Sequence, residues 1–279
     1  MTASRSKSMK LLERSCPLCA KDESHLLPYG TPDWPMVQCV HCHMVYLRIV
    51  PDVSELFQNL AWEKTSQFEH ERREKTHGWL RKISRLTRVR LHLLPRNQIK
   101  ALVDRHAEAG NVLDVGSGAG AHVLSLSEQY IPYGIEVSKN LANQGREEFV
   151  NRGGQMINRD ALSGLKEFAD NMFTCVIMRS FLEHDITPLP VLREAFRTLK
   201  PNGILIIKVP NYASINRKVR GKKWCGLRFP DHVNYFTPQS LSSMVSRAGF
   251  SIERFRLRDH LPTSDSMWMI ASKHLEAGN

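Results

Sequence analysis

The sequence predicts an α/β protein, a doubly wound and mostly parallel sheet with a small cysteine-bearing module ahead of it, on three observations. An apolar stretch runs into a glycine-rich turn, Val112-Leu113-Asp114-Val115-Gly116-Ser117-Gly118-Ala119-Gly120. Single acidic residues close the next two apolar stretches, Glu136 lying 22 positions after Asp114 and Asp160 lying 24 after Glu136. Apolar and amphipathic stretches then alternate, and right-handed crossovers turn that order into a parallel sheet.

Taken along the chain, residues 1–15 read as a disordered basic tail. Cys16-Pro17-Leu18-Cys19 and Cys39-Val40-His41-Cys42 follow as two C-x2-C pairs separated by 19 residues, within the spacing of a zinc ribbon occupying 16–48 and closed by a strand at Val45-Tyr46-Leu47. Four thiolates fill a tetrahedral site and leave no position for a reacting water, so the implied role is a structural Zn2+. Iron in a rubredoxin-like site, a redox pair, or a ligand set using His41 or His43 share the same pattern. Residues 49–96 read as a helical connector in which Trp79, Ile83 and Leu86 oppose Arg81, Arg85 and Arg88. Asn97 can cap a helix bearing Ile99, Leu102, Val103 and His106, ended by Gly110.

Strands are expected near 112–115, 133–136, 155–158, 173–178 and 204–209, with helices near 120–129, 139–150, 188–199 and 238–248. Thr237-Pro238 supplies a cap and a first-turn proline, and Gly249 a stop. Two final strands, 251–257 and 267–271, lack an intervening helix and should pair antiparallel. Cys175 falls inside a strand and reads as core.

Composition bounds the partners. The 279 residues are 42% hydrophobic and 24% charged with a net charge of +11, which suits one medium α/β domain with an appendage. No apolar run reaches the roughly 18 residues of a membrane span and the start lacks a signal-peptide core, so a cytoplasmic protein is expected. The positive charge is local: Arg72–Arg105 holds 11 Lys/Arg against Glu74 and Asp104. A second acid-free cluster comprises Arg217, Lys218, Arg220, Lys222, Lys223 and Arg228. Such patches admit an anionic metabolite, nucleic acid or a membrane surface.

The three alternate glycines let the backbone turn sharply and approach a ligand, and a helix opening after Gly120 would aim free N–H groups at it. Glu136 is placed to accept two ribose hydroxyls and Asp160 to sit near an adenine amino group. A dinucleotide oxidoreductase would need G-x-G-x-x-G, whereas here Ala121 and His122 follow Gly120.

With these residues the chain resembles a class I S-adenosylmethionine-dependent methyltransferase over about 97–275. Val112–Gly120 resembles the first motif of that family, Glu136 its ribose-binding acid and Asp160-Ala161 its adenine-contacting pair. Phe173–His184 is similar to the fourth strand and the Leu-Glu-His signature of the ubiquinone-biosynthesis-like branch, and Leu199–Leu205 to the turn into the fifth strand. The segment Asp231–Thr237 behind a four-cysteine module is similar to bacterial methyltransferases, some of which resemble sugar C-methyltransferases. The knuckles of such modules usually end Cys-Gly, whereas Ala20 and His43 stand here, where glycine would relieve left-handed strain.

The resemblance implies a Rossmann-like seven-stranded methyltransferase sheet with S-adenosyl-L-methionine as cofactor. Gly116, Ser117, Gly118 and Gly120 would lie against its methionine portion, Asp114 near its ammonium, and Arg179 and Ser180 facing the sulfur. A base is needed for a hydroxyl or acidic carbon acceptor, and His184 and His232 are the candidates, with Tyr235 beside them. Basic loop 217–228, with Trp224, would hold an anionic group of a small-molecule or sugar-type acceptor. The alternatives are an RNA methyltransferase with a zinc module and a non-catalytic adaptor on the same fold.

Overall fold

The computed structural model describes residues 10–52 and 98–274. The amphipathic connector helix and Asn97 lie outside the described residues.

The N-terminal module is built from β1 (Leu11–Glu13), β2 (Ser24–Leu26), β3 (Met36–Cys39), β4 (Val45–Leu47) and β5 (Ile49–Pro51). Strand β1 pairs antiparallel with β5, so Leu11–Glu13 of the expected tail form a strand and the expected connector begins with one. Strands β2, β3 and β4 form an antiparallel sheet whose fourth strand comes from far along the chain: β11 (Asn234–Tyr235) pairs with β4. The module is thereby stitched into the main domain.

That domain contains α1 (Gln98–His106), β6 (Gly110–Val115), β7 (Tyr130–Ile135), α2 (Lys139–Asn151), β8 (Gln155–Ile157), α3 (Ala161–Lys166), β9 (Phe173–Arg179), α4 (Pro188–Thr198), β10 (Leu199–Pro210), α5 (Ile215–Arg220), α6 (Pro238–Arg247), β12 (Ser251–Arg254) and β13 (Ser266–Ser272). The sheet order is β12-β13-β10-β9-β6-β7-β8. Strands β8, β7, β6, β9 and β10 run parallel, while β13 inserts antiparallel between β10 and β12. This is the seven-stranded arrangement expected, including the antiparallel final pair.

Alternation along the strands supplies both layers. Leu113, Val115, Val176, Met178, Leu205 and Ile207 join the core with Leu165 of α3, Leu192 of α4 and Leu241 of α6. Val112, Cys175, Ile177, Ile204 and Ile206 join Ile99 and Val103 of α1 and Phe149 of α2 on the opposite face. Helix α6 starts in a capping box of Thr237 and Ser240 with proline in the first turn, satisfying N–H groups that a helix start leaves bare.

Segment 120–129 is a run of turns rather than the expected helix. One helical bond forms, from Leu124 N–H to Gly120 O at 2.9 Å, but side chains claim several of the other carbonyls. Ser125 Oγ donates to His122 O at 2.7 Å, and the Arg152 guanidinium donates to Leu124 O, Ser127 O and Tyr130 O. Side-chain bonds to carbonyls, local from Ser125 and long-range from Arg152, compete with helix formation. Two helices were not anticipated: α3, capped by Asp160, and α5 within the basic loop.

Candidate active site

Beyond the carboxyl ends of β6, β7 and β9 lies a cavity of about 440 Å³, where ligands of open α/β sheets collect. Asp114, Gly116, Ser117, Gly118, Glu136, Asp160, Ala161, Arg179, Ser180 and His184 all line it. These were sequence candidates. Ala121, His122, Phe181, Asp185 and Asp231 line it as well and were not.

The glycine turn divides by role. Gly118 has φ +58° and a Cβ built on it would meet nothing within 4 Å, so its backbone faces open space on the cavity side. Gly120, with φ +89°, is different: a Cβ there would lie 2.2 Å from the Phe149 ring. It does not line the cavity, and its missing side chain makes room for α2 rather than for a ligand. Glu136 ties the turn together, accepting the Gly118 N–H at 2.8 Å and the Ser138 N–H at 2.7 Å. Its carboxylate lines the cavity at the end of the second strand, the position from which an acid can accept ribose hydroxyls.

Asp114 is 3% exposed and its Oδ2 is buried without a hydrogen-bond partner. Burial pushes its carboxyl up to about 7, with Arg179 pulling against that and Glu136 adding to it. A buried acceptor left unpaired is costly, and an incoming ammonium group would supply the missing donor. The acidic residue at the end of the second strand, the open Gly118 backbone and this orphan oxygen together fit S-adenosylmethionine.

Across the cavity Arg179 Nη1 meets His122 Nε2 at 2.9 Å. Arginine is only a donor, so His122 accepts and is neutral at that nitrogen. Burial lowers the His122 pKa and Arg179 and Lys208 lower it further. Lys208 is itself lowered, by burial first and then Arg179. Of these groups Arg179 and His122 line the cavity, and the Arg179 guanidinium suits a carboxylate. Ser180 at the strand end has φ +52°, and its N–H donates to Lys208 O at 2.8 Å.

The third wall joins two segments 47 residues apart. His184 Nδ1 lies 2.9 Å from Asp231 O and 3.0 Å from Asp231 Oδ1, so it donates its proton there and leaves Nε2 as the acceptor nitrogen. Burial alone would lower the His184 pKa, but the charge and hydrogen bond of Asp231 outweigh it and the net shift is upward. Burial would raise Asp231; His184 and Arg228, whose Nη2 is 2.6 Å away, hold it down at about 2. His232 stands edge-on to His184 at 4.7 Å between ring centroids. It is buried, donates from Nδ1 to Gly226 O at 2.9 Å, and is held well below its ordinary pKa by burial and then His184. His232 does not line the cavity. Nor does Tyr235, whose hydroxyl donates to His232 O at 2.8 Å within an apolar cluster. Both support the wall from behind. Trp224 is likewise withdrawn, fully buried with Nε1 donating to Asp265 Oδ1 at 2.8 Å, rather than facing an acceptor.

Backbone bonds weld these segments. Val233 N–H and Asn234 N–H donate to Glu183 O, and Asn234 Nδ2 donates to Leu182 O and Asp185 O, both at 2.7 Å. Arg14, from the N-terminal module, reaches the same joint. It donates to Leu47 O, Ile186 O, Val233 O and Asn234 Oδ1 at 2.6–3.0 Å. Burial lowers its pKa to about 10, against the charge of Asp185. No local signal marked Arg14, because its partners are up to 220 residues away.

Among the described residues, two clusters bring metal-type ligand atoms within 4.8 Å of one another. The first is the four thiols: Cys16 and Cys42 sulfurs are 3.4 Å apart, as are Cys19 and Cys39. Sulfurs around a tetrahedral zinc with bonds of about 2.3 Å lie roughly 3.8 Å apart, so a small closure difference separates the pairs from a loaded site. His41 instead pairs with Glu23 at 2.8 Å. Ala20 and His43, φ +59° and +58°, occupy the left-handed turns expected for glycine. The second cluster is Glu183, His184 and His232, and there Arg228 already provides a fixed positive charge that a dication would face.

The family model for the methyltransferase domain matches residues 79–254. The chain belongs to that family of methyltransferase domains. Phosphoethanolamine N-methyltransferase of Plasmodium falciparum is 24% identical over 155 residues, covering 50% of this chain and 56% of that one. Demethylmenaquinone methyltransferase of Listeria monocytogenes is 31% identical over 146 residues, 47% of this chain and 60% of that one. The chain thus spans somewhat over half the length of these relatives. Among solved structures, the [4+2]-cyclase SpnF superimposes with a TM-score of 0.51 at 20% identity, over 64% of this chain and 81% of that one. That likeness is one of fold alone.

Proposed function

We propose that this methyltransferase acts at oxygen or carbon of a small organic acceptor, with His184 as the proton-accepting base and Asp231 as the residue that orients and charges it. One observation carries the reading: His184 lines the cavity and its Nδ1–H is fixed by a carboxylate, which leaves Nε2 as the nitrogen able to accept a proton. When bound, S-adenosylmethionine supplies an electrophilic methyl on a sulfonium, which asks the protein for alignment more than activation. Asp114 would hold the ammonium, Glu136 the ribose, Asp160 and Ala161 the adenine, and Arg179 with Ser180 the region of the sulfur. Proton transfer to His184 Nε2 then leaves the acceptor atom nucleophilic, and Asp231 stabilises the imidazolium.

His232 and Tyr235 are positioning residues in this scheme, keeping the His184 ring upright. The quinone-type branch of the family is supported by the 31% identity to the demethylmenaquinone enzyme and by the Leu182-Glu183-His184 strand end. The four thiols are proposed to hold one structural Zn2+ per chain, closing the module.

The test is methyl incorporation from labelled S-adenosylmethionine into quinol, nucleotide-sugar and hydroxylated acceptors, with RNA in parallel. Transfer to a small molecule that drops in His184→Gln, with cofactor affinity by calorimetry unchanged, is the expected result. Transfer to RNA alone, or full turnover in His184→Gln, overturns it. Metal analysis of the purified chain should give about one zinc per chain, lost in Cys39→Ser; iron colour would overturn the zinc assignment.

A further inference from the structure

The basic segment 217–228 is not absorbed by the cavity. Arg217 is drawn onto the Tyr212 ring, 3.9 Å from its centroid, and Arg228 onto Asp231. The remaining cations, Lys218, Arg220, Lys222 and Lys223, are exposed. Between them stand aliphatic side chains: α5 buries none of its residues, leaving Ile215 47% and Val219 80% exposed one turn apart.

A second segment adjoins this one. Ile215 N–H donates to Pro262 O at 2.7 Å and Asn216 Nδ2 to Thr263 O at 3.4 Å. It repeats the same mixture, with Arg256 and Arg258 exposed beside Leu257, 64% exposed, and Leu261, 43% exposed. Four of the eight exposed large hydrophobic side chains among the described residues therefore fall on these two short segments. Their acids are withdrawn: Asp259 is buried against Arg254 at 2.7 Å, and Asp265 accepts from Trp224, Ser214 and Asn216. The surface is thus cationic with protruding aliphatic groups and no exposed carboxylate.

We infer that these two segments form a docking surface for an anionic lipid bilayer, Lys218, Arg220, Lys222, Lys223, Arg256 and Arg258 meeting headgroup phosphates while Val219, Ile215 and Leu257 enter the interface. The combination selects the partner. Cations alone suit any polyanion, but aliphatic tips add nothing on a phosphate backbone, whereas interfacial binding grows with both buried apolar surface and charge. Nucleic-acid surfaces instead interleave cations with exposed aromatic rings. Placement agrees: α5 follows the carboxyl end of β10, and Pro210 there pairs with Ser266 at the start of β13. Both segments therefore lie at the end of the sheet that carries the cavity, so a docked enzyme presents that end to the lipid. The inference does not depend on which acceptor is methylated or on the role of His184.

Vesicle co-sedimentation of the full chain tests it without turnover. Binding to phosphatidylcholine vesicles containing phosphatidylglycerol, weakened roughly tenfold on pure phosphatidylcholine and by high salt, is expected. The double variant Val219→Glu/Leu257→Glu should lose binding roughly tenfold or more, and Lys222→Gln/Lys223→Gln should weaken it less. Cofactor affinity and melting temperature serve as folding controls, since all four side chains are exposed. The inference is overturned if the wild-type chain ignores anionic vesicles, if the double variant binds them unchanged, or if soluble glycerol phosphate competes as well as vesicles do. It is also overturned if sedimentation shows a dimer that Val219→Glu dissociates, or if RNA binds more tightly and is insensitive to the aliphatic changes.

Discussion

The glycine turn after β6 and the histidine wall opposite it are made in different ways. The turn lies within seven consecutive residues, Asp114 to Gly120, plus one carboxylate from the neighbouring strand that accepts the Gly118 N–H. The wall needs His184 from the end of β9, Asp231 and Asn234 from beyond β10, and Arg14 from the N-terminal module. A turn closes cheaply because its partners are neighbours, whereas the wall exists only after several loops have been closed. The comparison teaches that turn and wall are built independently, so the proposed cofactor binding and acceptor chemistry should be separable, with Arg14 of the cysteine module bracing the wall.

The separation can be broken most forcefully at Asp231. Asp231→Asn should lower kcat by roughly 10²–10⁴-fold while leaving S-adenosylmethionine affinity intact by calorimetry. The pH profile sharpens the same point. His184 must be neutral to accept a proton and Asp231 raises its pKa, so kcat/KM should rise with pH along a limb lying above the ordinary histidine value of about 6.5. In the Asn variant that limb should move downward. An unmoved limb would mean that another group is titrating.

Arg14→Met, which keeps bulk but removes every donor, should destabilise the chain by roughly 2–4 kcal/mol in denaturant unfolding. It takes the Arg14 donor from Ile186 O and leaves Val233 O with the Leu47 N–H alone, so acceptor turnover should fall further than cofactor affinity does. If both fell together, turn and wall would be one cooperative unit.

On the turn side, Asp114 predicts a proton count. Its carboxyl is pushed up to about 7 in the ligand-free chain, and pairing with an ammonium requires the ionised form. Affinity should therefore hold above about pH 7 and fall by up to tenfold per unit below it, with proton release on binding seen as a buffer-dependent calorimetric enthalpy. Asp114→Asn should abolish that buffer dependence.

The smallest effect lies in the cysteine module. Ala20 and His43 hold φ near +60°, a conformation glycine adopts at little cost. Ala20→Gly and His43→Gly should each raise stability, by at most about 1 kcal/mol, read as a higher melting midpoint of the metal-loaded chain. A drop would show that the turns are not strained.

Several features were legible because they are local. The parallel strands announce themselves as apolar runs, Thr237-Pro238 as a helix start, and Asp114, Glu136 and Asp160 as strand-end acids. Where local pattern misled, side-chain contacts intervened, most of them from far along the chain. The stretch 120–129 has helical composition, yet Arg152 and Ser125 claim its carbonyls. Gly120 looked like a ligand contact and is instead the floor under Phe149.

By itself the sequence determined the layered α/β architecture, the strand-end acids and glycine turn that line one side of the cavity, and the spacing of the four thiols, since each follows from periodicity or from residues close in the chain. Tertiary structure alone decided that His184 rather than His232 faces the ligand space, that Arg14 locks the module to the wall, and that two short basic segments share one aliphatic-tipped surface. Those outcomes depend on which distant groups meet and which are buried, and composition and spacing carry no information about contacts across 50 or 200 residues until the core has brought them together.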